Sequence, residues 1–386
     1  MNAYLPRLFG TITWRGFFVV VTVLAALLVA PAATLTAQDA AEDPGGAVTF
    51  TVEKLVTANY AVSLAFAPDG RLFYTEKATG NVRVIQADGT AQLEPVIHLD
   101  TDALVERGLL GIALDPHYEE NGMIWVIHTA PGTARDWPEN RVVRFHEENG
   151  VGSDPETMLA APITTGELKH NGGNLHFDAD GLLYLSFGDF GDATNAQNLD
   201  ALPGKIHRFA VTDEGLVAAE GNPFPDNSTY AYGLRNSFDF TFDPFGDGQV
   251  LATENGFQCD DEVNLILPGR NYGWGPDYLD NCYGTTPLDV PDYMPPLLSY
   301  TPTIAPTGIV VYDNPAVPAW EGQVFFCAWN TGKMQRVILN AERTAVEAVY
   351  PVDLAGVFCR TDVVIGPEGA LYFLDPIGIY RLTPES

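Results

Sequence analysis

The sequence predicts an all-β fold, a six-bladed β-propeller, from six successive units of one pattern, a tight-turn signature within the units, and the lack of any long amphipathic helical stretch. From residue 47 onward each unit reads as an alternating apolar strand, a turn, and a second strand rich in aromatic and β-branched residues. The first three units open at Val62–Tyr74 (turn Pro68, Asp69, Gly70), Leu109–Ile127 (Asp115, Pro116, then Asn121, Gly122) and Leu175–Leu185 (Asp178 to Gly181). The last three open at Phe238–Ala252 (Asp243 to Gly248), Ile309–Phe326 (a longer Pro-rich connection) and Val363–Leu374 (Gly366 to Gly369). Asp-Gly and Pro-Asp-Gly supply the positive φ and the preset φ that tight hairpins need. Third strands follow at Gly80–Gln86, Arg141–His146, Gly204–Phe209, Glu262–Leu267, Lys333–Leu339 and Gly378–Leu382. Val48–Val52 precedes the first unit and is expected to complete the last blade, closing the ring and covering an edge. A β-sandwich is the competing architecture, but it has no need of six similar units in a row.

Ahead of the propeller, assigned to 47–386, residues 1–37 carry only Arg7 and Arg15 as charges, and Gly16 to Ala33 is almost unbroken apolar sequence. This is the pattern of a signal peptide, cleaved after Ala37, although Leu35 is not the small residue cleavage prefers. An uncleaved anchor is the alternative, since a run of about 18 apolar residues just spans a bilayer. Residues 38–46 read as a short acidic linker. The expected location is therefore secreted, periplasmic or on the exterior of the cell envelope, with membrane contact only through such an anchor.

The formal charge of −30 argues against nucleic acid and anionic lipid as partners and favours neutral or cationic substrates. Four cysteines in an exported chain suggest two disulfides, for which 259 with 282 and 327 with 359 are the favoured pairings. Their spacing lacks the Cys-x-x-Cys and His pairs of a zinc site.

Four polar or glycine-rich segments between the strands are candidates for chemistry. In Lys169-His170-Asn171-Gly172-Gly173-Asn174 the glycines allow close backbone approach, and His170 is the natural general base near neutral pH; the competing reading is a solvated loop. Gly188-Asp189-Phe190-Gly191-Asp192 fits a polar rim or a structural Asx turn. Tyr232-Gly233-Leu234-Arg235-Asn236 sets a permanently charged planar donor and an amide beside a glycine, suited to polarising a developing oxyanion; a surface ion pair is the alternative. Glu254 to Asn264, continuing to Trp274, interleaves acids with a glycine turn, as a calcium loop does and as a solvated acidic loop also does.

Taken in order, Gly108-Leu-Leu-Gly-Ile-Ala, His170-Asn-Gly-Gly, Gly204-Lys-Ile, Gly233-Leu-Arg-Asn, Asp261-Glu-Val-Asn-Leu-Ile and Asn271-Tyr-Gly-Trp resemble the glucose/sorbosone dehydrogenase family, over about residues 50 to 384. The resemblance implies a six-bladed propeller that oxidises a sugar or related alcohol with pyrroloquinoline quinone and calcium. It implies His170 as the base that takes the sugar's anomeric hydroxyl proton, and Arg235 and Asn236 beside the cofactor's oxygens. It further implies calcium on the Gly256 and Phe257 carbonyls, and a second ion near Glu262 and Tyr272. In the resembled family a Lys on the fifth repeat and an Arg-x-Arg before the sixth hold the cofactor's carboxylates. Here those positions match Asn330, and Cys359 and Thr361, with Lys333 and Arg360 the nearby cations, displaced in register. Glu106, Lys169 and Phe190 also replace the amides or Asp of the sugar dehydrogenases.

Two other readings compete. A non-catalytic, calcium-stabilised propeller binding carbohydrate or protein would account for the displaced cations, and a calcium-dependent lactone or ester hydrolase would lack a nucleophile motif. Substrate, electron acceptor and oligomeric state are not legible.

Overall fold

A computed structural model describes residue 43, residues 48–276 and residues 290–385. By its contacts the chain divides into Met1–Asp43 and Pro44–Ser386. The expected leader at 1–37 lies outside the described residues, as do the linker apart from Asp43 and the residue Cys282 of the expected 259–282 disulfide.

The described residues of Pro44–Ser386 form the six-bladed β-propeller. Blades 1 to 5 are antiparallel sheets in chain order from the axis outward. Blade 1 is Ala61–Phe66, Leu72–Glu76, Asn81–Ile85 and Ile97–His98; blade 2 is Leu109–Leu114, Met123–Ala130, Glu139–Glu148 and Val151–Pro162. Blade 3 is Leu175–Phe177, Leu183–Phe187, Lys205–Thr212 and Gly215–Ala218, with Thr229–Tyr232 paired to the third of these. Blade 4 is Ser237–Asp243, Gln249–Glu254, Asp261–Ile266 and Leu298–Tyr300; blade 5 is Pro306–Val311, Val324–Ala328, Met334–Leu339 and Val346–Val352. Blade 6 joins Val363–Ile365, Leu371–Asp375 and Gly378–Pro384 to the N-terminal strand Phe50–Thr57, so both ends of the propeller meet in one sheet. The first strand of each blade touches those of the blades before and after it, and Val363–Ile365 returns to Ala61–Phe66.

Both faces of a blade are covered by its neighbours, so middle strands are apolar nearly throughout rather than alternating. All of Leu72–Glu76, Leu183–Phe187, Val324–Ala328 and Leu371–Asp375 is buried. Successive side chains then serve opposite interfaces: Phe73 packs with Ile124 and Val126 of blade 2, while Tyr74 packs with Leu374 and Ile379 of blade 6. One apolar cluster fills each of the six gaps between blades.

Side-chain bonds around the axis reinforce the ring. Asp362 of the blade 5–6 connection accepts from the Leu64 amide of blade 1 (2.7 Å), and Asp239 of blade 4 accepts from the Ile309 amide of blade 5 (3.0 Å) and the Asn174 side chain. Cys327 and Cys359 are joined and fully buried, the pairing their spacing suggested.

The outer strands of blades 1 to 5 are absent from the sequence reading, because their outer edge faces water and leaves no period to detect. Val151–Pro162 is mostly exposed and polar. Among the described residues, no helix is long and apolar enough to cross a membrane.

Blades 4 and 5 are tied by Arg343, whose Nε donates to Asp243 Oδ2 (2.6 Å) and whose Nη1 donates to the Gly322 carbonyl (2.6 Å); the Asp243 side chain is 1% exposed. Removing one partner of such a pair strands the other charge. Arg343→Met is therefore expected to cost about 3 kcal/mol in urea unfolding, and much less when combined with Asp243→Asn.

Candidate functional site

The residue that follows the second strand of a blade emerges at one end of the propeller, and Lys77, Asn255 and Trp329, all so placed, line one cavity of about 420 Å³. Tyr60, Glu106, Asn171, Asn236, Thr307 and Thr361 share that lining.

His170 sits at the edge of this cavity, immediately before the lining residues Asn171 and Gly172. Its backbone is left-handed (φ 58°), as are those of Val105 (φ 54°) and Phe190 (φ 55°). Non-glycine residues in that region are strained and persist only where surrounding bonds enforce them. Here the enforcing bonds are explicit: the His170 amide donates to Glu106 Oε2 (2.6 Å), and its carbonyl accepts from the Phe190 amide (3.2 Å). Gly188 makes this possible, since a Cβ there would lie 2.1 Å from the His170 carbonyl oxygen.

The imidazole Nδ1 lies 2.7 Å from Asp189 Oδ1. Asp189 is 1% exposed; its Oδ1 also accepts from the Gly191 amide (2.7 Å) and its Oδ2 from Trp274 Nε1 (2.8 Å). A carboxylate already surrounded by N–H donors fixes the ring with its proton on Nδ1. Nε2, which has no hydrogen-bond partner among the described residues, is left as an acceptor. Asp189 thus positions the imidazole, a role that the polar rim or turn expected from sequence does not include.

Asn236 lines the cavity; its Oδ1 accepts from the Gly172 amide (2.9 Å) and so ties the histidine loop to blade 4. Arg235 lies beneath, its guanidinium between the rings of Phe257 (5.8 Å) and Trp274 (5.5 Å), with Nη1 on the Asn255 carbonyl (2.8 Å). Burial lowers its affinity for its proton, partly offset by Asp189, Glu254 and Glu106. Glu254 Oε1 holds the amides of both Arg235 (3.0 Å) and Asn236 (2.7 Å), while its buried Oε2 has no partner. Desolvation raises this carboxyl to about 8, and Glu262, paired opposite it on the next strand, to about 8 as well.

The remaining expected ligands are distributed unevenly. The carbonyls of Gly256 and Phe257 accept no hydrogen bond among the described residues. Glu262 accepts from Asn264 Nδ2 (2.9 Å). The Tyr272 hydroxyl is spent on the backbone, donating to the Leu265 carbonyl (2.6 Å) and accepting from the Leu267 amide (2.9 Å), so only its carbonyl is left to offer an ion. No group of three or more His, Cys, Asp or Glu suited to a metal occurs among the described residues.

Arg360 is outside the cavity lining; it covers Trp329 (5.7 Å) and Phe358 (4.8 Å) and donates to the Trp329 carbonyl. Lys333 is exposed and also outside the lining. Cys359 is in the disulfide, and the lining residues Asn330 and Thr361 are neutral, with the Thr361 hydroxyl donating to the Ala61 carbonyl (3.0 Å). Among the described residues the cation that does line the cavity is Lys77, which the sequence reading missed.

The sequence model of the Glucose / Sorbosone dehydrogenase family matches residues 58–377. The aldose sugar dehydrogenase YliI of Escherichia coli (strain K12) is 27% identical over 330 residues, 81% of this chain and 86% of that protein. The apo-form crystal structure of the soluble aldose sugar dehydrogenase from E. coli superposes with a TM-score of 0.76 at 25% identity, over 87% of this chain and 100% of that one. The PQQ-bound aldose sugar dehydrogenase of Streptomyces coelicolor superposes with a TM-score of 0.71 at 26% identity, over 87% and 99%. With most of its propeller matched in sequence and in fold, the chain belongs to the glucose/sorbosone dehydrogenase family.

Proposed function

We propose that this chain oxidises a sugar or related alcohol with pyrroloquinoline quinone, His170 serving as the general base. The observation that carries the reading is the Trp274–Asp189–His170 hydrogen-bond chain, which ends in a free imidazole nitrogen at the edge of the cavity. When bound, the quinone supplies the acceptor for the substrate hydride. His170 Nε2 takes the hydroxyl proton, and Asp189 stabilises the imidazolium that results.

The cavity suits a flat polar ring system. Tyr60 and Trp329 form a near-parallel wall (centroids 6.0 Å apart, planes at 22°), and the buried, unpartnered Asn171 Oδ1 and Thr307 Oγ1 belong to lining residues. Asn236 and Arg235 would face the cofactor's oxygens. Calcium suits the free Gly256 and Phe257 carbonyls, and a cation beside Glu254 and Glu262 would favour the ionised form of two carboxyls that burial otherwise keeps protonated. No cofactor contact is assigned to Lys333. Removal of residues 1–37 as a signal peptide, and work outside the cytoplasm, complete the proposal.

The test is reconstitution. Purified chain given calcium and the quinone is expected to reduce an artificial dye with aldoses, and to do so only with both added. Failure to bind micromolar quinone would overturn the reading in favour of a non-catalytic propeller that binds carbohydrate or protein, in which calcium raises the melting temperature and quinone does not.

A further inference from the structure

Among the described residues Lys77 is the one cation lining the cavity, and its surroundings are those of a site suited to an anion. The residue is nearly buried (7% exposed), and among the described residues its ammonium makes a single hydrogen bond, to the Ala103 carbonyl (3.2 Å). The group also lies 4.9 Å from the Tyr60 ring centroid. An ammonium has three donors, and the protein engages one of them here, which leaves the others to a ligand that enters the cavity. The lining acid Glu106 contributes charge at a distance, but its Oε2 is committed to the His170 amide.

The position is built for this side chain. Gly108 packs against its stem, where a Cβ would come within 2.3 Å of Lys77 Cγ, and the Lys77 amide is fixed on the Tyr60 carbonyl (2.9 Å). A continuous wall crosses three blades from Lys77 through Tyr60 and Trp329 to the Arg360 guanidinium, with a cation over each end. A planar acid lying along that wall meets positive charge at its inner end through Lys77.

We infer that Lys77, delivered from the first blade, is the anchor for a carboxylate of the bound quinone, in place of the cations missing at Asn330, Cys359 and Thr361. This rests on the quinone reading above. Lys77 also has a consequence for recognition: the cavity selects acids among planar ligands, whereas an uncharged ring system of the same shape gains only the aromatic wall.

The experiment titrates the full-length chain with pyrroloquinoline quinone and with its trimethyl ester, following tryptophan fluorescence and needing no turnover. Wild type is expected to bind the acid about 10- to 100-fold more tightly than the ester, the range of one charge-assisted bond. Lys77→Gln is expected to lose that difference by weakening the acid alone, and Lys77→Arg to keep most of it. Equal binding of acid and ester by wild type overturns the inference without any variant. Unchanged acid binding by Lys77→Gln also overturns it, as does equal weakening of both ligands, which marks a structural role. If wild type binds neither ligand, the quinone reading itself falls and takes this inference with it.

Discussion

His170→Ala is expected to lower kcat for dye-coupled aldose oxidation by about 10²- to 10⁴-fold, the range a positioned general base contributes. Quinone affinity should stay within about threefold, since the imidazole is not part of the cavity lining. Asp189→Asn should follow closely through a different route. In the wild type both carboxylate oxygens accept N–H bonds, from His170 and Gly191 on one side and from Trp274 on the other. An asparagine keeps one acceptor and adds an NH₂. Turned towards Trp274, that NH₂ meets another donor; turned towards His170, it demands that Nδ1 become the acceptor, moving the ring proton to Nε2 and blocking the base. Asp189 is thus a positioning residue, and its loss should also change the shape of the kcat–pH profile, whereas a merely structural loss would lower the plateau alone. Wild-type kcat in either variant would remove His170 from the mechanism.

What the sequence revealed and what it concealed follow from how a propeller is built. The inner hairpins were legible because both faces of each blade are buried and the turns carry Pro, Asp and Gly, so Leu183–Phe187 and Leu371–Asp375 stand out as short apolar runs. Outer strands such as Val151–Pro162 were hidden by their solvent-facing edge. At the site, His170 and Asn236 were flagged by glycine-rich surroundings, and the structure brings them to one cavity. Asp189 was visible only as part of a polar rim or a turn, because its role depends on Trp274, which is 85 residues distant in the chain. Lys77 lies in none of the polar or glycine-rich segments, being a lysine just past the end of a strand. A positional signal was nonetheless present, since the residue after the second strand of a blade faces the cavity in blades 1, 4 and 5, as Lys77, Asn255 and Trp329 do. Arg360 and Lys333 were sought by proximity to the family's cation positions. Position along a strand fixes direction more strictly than proximity does, and neither side chain lines the cavity.

The other large effect concerns closure of the ring. A chain beginning at Ala58 is expected to lose the cooperatively folded monomer altogether. Phe50–Thr57 pairs with Gly378–Pro384 over seven registered residue pairs, and the Ala58 and Tyr60 amides continue the contact onto the Ile377 (3.2 Å) and Pro376 (2.7 Å) carbonyls. Phe50 and Val52 pack into the apolar cluster between blades 5 and 6, while Leu55 and Val56 pack into that between blades 6 and 1. The N-terminal strand therefore serves two interfaces and links the first blade to the last through the sheet, as well as covering the edge of Gly378–Pro384. Each ladder bond is worth about 0.5–1.5 kcal/mol, and each of these partly buried large apolar side chains a share of the about 1.5–3 kcal/mol that full burial brings. Their sum rivals the roughly 5–15 kcal/mol that holds a typical domain folded. The bared strand also becomes a template for pairing between chains. Size-exclusion chromatography and hydrogen exchange should show aggregates, or a monomer whose blade 6 amides have lost protection. A peptide of residues 48–57 added in trans should restore protection, and the same peptide carrying Phe50→Ala and Val52→Ala should not. A truncated monomer that melts within about 5 °C of the full chain would mean that the ring holds without its closing strand, because in a domain of this size such a shift reflects a deficit of only about 3–4 kcal/mol.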